Sequence, residues 1–248
     1  MTPDPALCRT GVTAGHTVLN VQVWHPNWGS VATAAMRRSL FGADAPAQDA
    51  PDVATAARML DDVLGADRAA AWLGRVSVTD HSPEGAVSVD ELRRRVDGMA
   101  AAALDPDGRP ARGVLRVERD GTQGVARVVL PLSPVVAPGC DLHVPITLGT
   151  DPLAASDLTM AQIEDLAAGV QDALVATVEE NGAGVLAVAE TTESQVTLHF
   201  YLDSTAPTVA DRSLLNTLRT VASAWDLGDA AVTDEPDPAW TAVQDFRV

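Results

Sequence analysis

Three residues carry the side chains best suited to metal or nucleophilic chemistry: Cys140, His143 and His199. A thiolate and two imidazoles are borderline-soft ligands of the kind zinc takes. A cysteine within reach of a histidine is also the start of a nucleophilic site. The three meet only if the segments that hold them, 141–148 and 195–202, pair as strands. Both histidines fall on the polar side of alternating strands, so exposed histidines on a solvated sheet face are the competing expectation.

Trp24, His25 and Trp28 form the densest aromatic patch. Two indoles around an imidazole would anchor a ligand or a partner, since tryptophan combines large area with one polar handle. A loop pinned over the core by its tryptophans explains the same residues. Arg93, Arg94 and Arg95 are the one basic cluster. On a helix they fan over most of a turn, so ion pairs with Asp90, Glu91 and Asp97 are expected rather than convergence on one anion. The C-terminal acids Asp226, Asp229, Asp234, Glu235 and Asp237 suit a hard cation or a basic partner, but lack regular ligand spacing.

All 17 basic residues are arginines, against 34 acidic ones, for a net charge of −17. Without lysine there is no Walker A loop, no Schiff base and no kinase-type lysine. The charge argues against nucleic acid and anionic membrane as partners. No GxSxG, HExxH, GxGxxG or EF-hand pattern occurs. Cys8 and Cys140 form no CxxC pair, and the first residues carry no apolar leader. The expectation is a cytoplasmic protein with both thiols reduced and no cofactor.

The elements that must position these residues follow from periodicity. Leu19, Val21 and Val23 alternate in a strand over 17–24. Helices are expected at 53–64, stopped by Gly65, and from the Ser88-x-x-Glu91 capping box to about 103. Asp120-Gly121 marks a hairpin within 114–130. Strand 141–148 contains Pro145, which places it at an edge or a bulge. Thr159-x-x-Gln162 opens the longest helix, to about 179. Strands at 184–190 and 195–202, a helix near 211–225 and a short strand near 230–234 complete the order.

This order predicts an α+β fold of two ferredoxin-like or similar units, with helices packed on antiparallel sheets. The expected division is 1–110 and 111–248. Strand 17–24 echoes 141–148 and strand 73–79 echoes 196–202, which raises a duplication; chance likeness between such units stays open. The charge is uneven: residues 1–124 hold 13 arginines against 16 acids, and residues 125–248 hold four against 18.

DGTQGVARV, HVPITL, the TMAQIEDLAAGVQDALV helix, VTLHFYLD and DPAW are features of a run from about Gly113 to Trp240. That run resembles the uncharacterised bacterial family called domain of unknown function six-nine-five. The match departs from the family in the loop at 149–156 and does not extend to residues 1–110. The resemblance implies no activity. Some members of that family are joined to a domain like one that inhibits ribonuclease E by binding it, which implies a regulatory or protein-binding role. The resulting expectation is a non-catalytic cytoplasmic module with a basic protein partner. The alternative is a small hydrolase or metal-dependent enzyme using Cys140, His143, His199 or dispersed carboxylates. A homodimer through the proline-bearing strand is a further option.

Overall fold

The computed structural model describes residues 5–14, 17–25, 53–119, 121–151 and 158–247. It has the α+β architecture expected from the sequence, in two compact units, Met1–Asp107 and Gly108–Arg247. Among the described residues, no helix is long and apolar enough to cross a membrane.

In the first unit, strands β1 (Arg9–Ala14), β2 (Leu19–Trp24), β3 (Leu73–Val78) and β4 (Val87–Ser88) form a sheet ordered β3-β2-β1-β4. β1 and β2 are antiparallel, whereas β2 and β3 are parallel. Helices α1 (Val53–Leu64) and α2 (Ala66–Trp72) pack against β3, and α3 (Val89–Ala102) packs against β1. Gly65 ends α1 as expected, with φ of 88° that favours glycine. α3 starts where Ser88 accepts the Glu91 N–H. β1 and α2 have no counterpart in the sequence reading: RTGVTA is short and poor in apolar residues, and ADRAAAW is too short to show a stripe.

The second unit adds β5 (Arg112–Arg119), β6 (Thr122–Val129), β7 (Cys140–Gly149), α4 (Met160–Glu180), β8 (Gly184–Thr192) and β9 (Gln195–Asp203). α5 (Pro207–Ala210), α6 (Ser213–Ala222), β10 (Ala230–Val232), β11 (Glu235–Pro236) and a 3-10 turn, Thr241–Phe246, follow. The sheet runs β10-β7-β9-β8-β6-β5, with β11 also on β7, and all its pairings are antiparallel. Around β7, α4, β8, β9, α6 and β10 the chain makes a β–α–β–β–α–β path through strands ordered β10-β7-β9-β8, the connectivity expected of a split βαβ unit. The parallel β2–β3 pair departs from that pattern in the first unit. The proposed echo of strands 17–24 and 73–79 in 141–148 and 196–202 therefore does not extend to how those strands pair.

Pro145 does not put β7 at an edge, because β9 lies on one side and β10 with β11 on the other. The register of β10 continues into β11, and Thr233 N–H donates to the Pro145 carbonyl at 3.2 Å. The reciprocal bond is missing because proline has no N–H. The proline thus interrupts the outer strand rather than its own. A homodimer through β7 is closed off, since both its edges are already paired.

Both faces of this sheet are buried over its central strands β7, β9 and β8. Val144, Ile146, Leu148, Leu198, Phe200 and Leu202 lie under α4 and α6, together with Ile163, Leu174, Leu214 and Leu218. On the opposite face Ala126, Val128, Val188 and Tyr201 lie under Trp240, Val243 and Phe246 of the closing segment.

Candidate functional site

β7 and β9 pair in the register that brings the two strand histidines together. His143 Nε2 stands 3.0 Å from His199 Nδ1, and His143 Nδ1 stands 3.2 Å from Glu235 Oε1. Glu235 is the register partner of His143 in β11. The His143 ring also stacks on Tyr201. The expectation of exposed histidines on a wet face fails: His143 is 3% exposed and His199 is partly buried. The alternation was correct, because both point away from α4 and α6. What it could not show is that residues 237–246 return across that face.

Asp237 fastens this return. Its Oδ1 accepts the Thr241 N–H (2.8 Å) and hydroxyl (2.6 Å), and its Oδ2 accepts the Ala242 N–H (2.9 Å) and Tyr201 hydroxyl (2.7 Å). Its own N–H donates to the Asp141 carbonyl at 2.7 Å. Trp240 stacks on Tyr201 with centroids 4.2 Å apart and donates its indole N–H to the Cys140 carbonyl. The carboxylate thereby takes up the first backbone N–H groups of the Thr241–Phe246 turn from three residues before its N-cap, Trp240. Burial pushes the Asp237 carboxyl up, but the hydrogen bonds from Thr241, Ala242 and Tyr201 outweigh it and hold the group at about 2. Burial, then the bond to Asp237 and the charges of Asp237 and Glu235, push the Tyr201 phenol above its usual range. Tyr201 is therefore a proton donor held in place, far from acting as a base at neutral pH.

Cys140 sits at the start of β7, partly buried against the apolar residues beneath Trp240. Burial, and then the charges of Asp203 and Asp141, push its thiol up. The thiolate that zinc or nucleophilic attack requires is disfavoured there. Among the described residues, no three His, Cys, Asp or Glu side chains gather in a way that could hold a metal ion. The structure brings together two of the three expected ligands, His143 and His199, and not a three-ligand set with Cys140.

In the first unit, Trp24 ends β2 half-buried and His25 is fully buried. Trp28 lies outside the described residues. Cys8 is buried, which pushes its thiol to about 11 despite the neighbouring Arg9. The three arginines of α3 pair locally: Arg93 with Asp90 and the Val63 carbonyl, Arg94 and Arg95 with Glu91. Asp97 takes Arg68 instead.

Sequence reasoning missed a depression of about 410 Å³ on the first sheet. Asn20 and Gln22 alternate with buried Leu19, Val21 and Val23, and so stand on the face away from the core. Arg75, Ser77, His81 and Glu84 join them around the hollow. Asn20 Oδ1 accepts the Arg75 backbone N–H at 2.8 Å, and His81 Nδ1 lies 2.8 Å from Asp80 Oδ1. The period-two pattern of LNVQVW gave the face. The joining of β3 and the 81–84 turn to it depends on a parallel pairing that local pattern does not specify. Such a lining offers hydrogen bonds of both senses to a small polar group.

The chain matches no family model, no curated protein and no solved structure.

Proposed function

We propose that this protein is a non-catalytic, cytoplasmic regulatory module that binds a basic protein partner. The observation that carries the reading is Asp237. The most perturbed carboxylate of the second unit takes four donors and holds the chain's return over the sheet, so its shifted acidity serves structure. Burial raises the thiols of both cysteines, which disfavours the thiolate that a cysteine nucleophile needs.

The acidic surface supports the partner class. Asp165, Asp172 and Glu179 recur every seventh residue on the exposed side of α4, a helix with no basic residue. At about 1.5 Å per residue they form a row with roughly 10 Å steps. Such a row attracts a basic surface and speeds encounter more than it raises affinity. The resemblance of the run from about Gly113 to Trp240 to an uncharacterised family with inhibitor-linked members points the same way.

The test is capture of partners by the immobilised full chain across a salt series, with Asp165→Asn/Asp172→Asn/Glu179→Gln as control. The reading expects a basic protein retained at low salt, released by high salt and lost in the triple variant. Absence of any salt-sensitive partner overturns it. A metal-dependent reading would start from the His143–His199 pair. That pair supplies two ligands where a zinc site takes four.

A further inference from the structure

Among the described residues, β5 is an edge strand. It is eight residues long and pairs on one side with β6. The opposite border of the sheet is made of two short pieces, β10 and β11, the second ending in Pro236. The Leu130 N–H donates to the Ala111 carbonyl at 2.9 Å, which fixes the phase of the β5–β6 ladder. Residues 113, 115 and 117 turn their backbone groups inward to β6. Arg112, Val114, Arg116 and Glu118 are exposed and turn theirs away from β6. Val114 is 64% exposed, the most exposed large apolar residue among those described. A long edge strand with free N–H and carbonyl groups is a template for another strand.

We propose that β5 pairs antiparallel with β5 of a second copy of this chain, Arg112 of each opposite Glu118 of the other. The charges choose the register. In a two-fold antiparallel pair, outward-facing residues meet outward-facing residues. A shift of two residues one way sets Arg112 against Arg116, and the other way sets Arg116 against its own copy. Both place like charges in contact. The central register gives two Arg112–Glu118 pairs and lays each Arg116 stem against the exposed Val114 of the other chain. Glu118 Oε2 accepts from Gln123 Nε2 of β6 at 2.9 Å, on the inner side of the strand. Strand pairing alone makes a small interface, so the dimer forms in a concentration-dependent way. This inference rests on a different element from the acidic row of α4, although Arg112 also feels the charge of Glu179 in that row, and its test leaves α4 unchanged.

Sedimentation velocity of the full chain over a wide concentration range tests it. The expected result is a monomer–dimer equilibrium that weakens with salt. Arg112→Glu alone and Glu118→Arg alone each weaken dimerisation about tenfold or more, since each puts like charges opposite twice over. Combined in one chain they restore opposite pairs and recover it. Val114→Pro removes an outward N–H and abolishes the dimer. It leaves the β5–β6 ladder its bonds, and an unchanged unfolding midpoint shows that the variant is folded. A chain that stays monomeric throughout overturns the proposal. So does a dimer that survives Val114→Pro, or one indifferent to the charge reversals.

Discussion

The two sheets of this protein each bury one face beneath helices and differ in the fate of the other. In the second unit the closing segment lays Trp240, Val243 and Phe246 over Tyr201, Ala126 and Val128. In the first, Asn20, Gln22, Arg75 and Ser77 surround an open depression. The strands look alike in sequence: LNVQVW and QVTLHFYLD both alternate apolar with polar or aromatic residues. Alternation assigns residues to faces. Whether a face stays wet depends on what chain returns to it, and that return is set by contacts distant in sequence.

The largest test of this contrast is Trp240→Ala. It removes the ring stacked on Tyr201 and the indole bond to Cys140, at an expected cost of about 3–5 kcal/mol. Hydrogen exchange followed separately over 53–107 and 158–247 should show protection lost in the second span. Equal loss in the first would break the contrast.

Asp237→Asn should cost about 2–3 kcal/mol in denaturant unfolding, because donors now meet an amide that is itself a donor on one side. The same carboxylate makes acid the natural perturbant. Its folded value of about 2 lies below the unfolded value of about 4. Its contribution is therefore complete above about pH 4 and lost as pH falls through about 2. The stability difference between wild type and Asp237→Asn should shrink over that window. A constant difference would mean that the carboxylate is not the fastener.

Glycine replacements sharpen the comparison at smaller scale. Gly98 in α3 and Gly169 in α4 both have open space where a Cβ would stand. Alanine at each should stabilise its own unit by about 0.5–1 kcal/mol, read from unfolding midpoints. Smaller still, Arg94→Ala should change stability by less than about 0.5 kcal/mol, since its pair with Glu91 is exposed.

Much of the second unit was legible. The Asp120-Gly121 hairpin, the Thr159–Gln162 capping box and the alternating faces of β7 and β9 depend on neighbours a few residues away. Even the proximity of His143 and His199 followed once those strands were taken to pair. The burial of that pair did not, because Glu235, Asp237 and Phe246 reach it from the far end of the chain. Pro145 was a correct signal with a displaced consequence: its missing N–H breaks the strand beside it. The depression on the first sheet was hidden because β2 and β3 are parallel partners about fifty residues apart in sequence.

By itself the sequence determined the α+β class, the faces of the strands it marked, the capped starts of α3 and α4 and the missing catalytic motifs. These are local: periodicity, caps and turn residues act within a few positions. Only the tertiary structure decided which polar residues are dry, which strand is an edge, and that the Asp237 carboxylate and Trp240 serve to hold chain to sheet. Those outcomes depend on which segments meet, and a burial or a pairing belongs to two distant stretches at once.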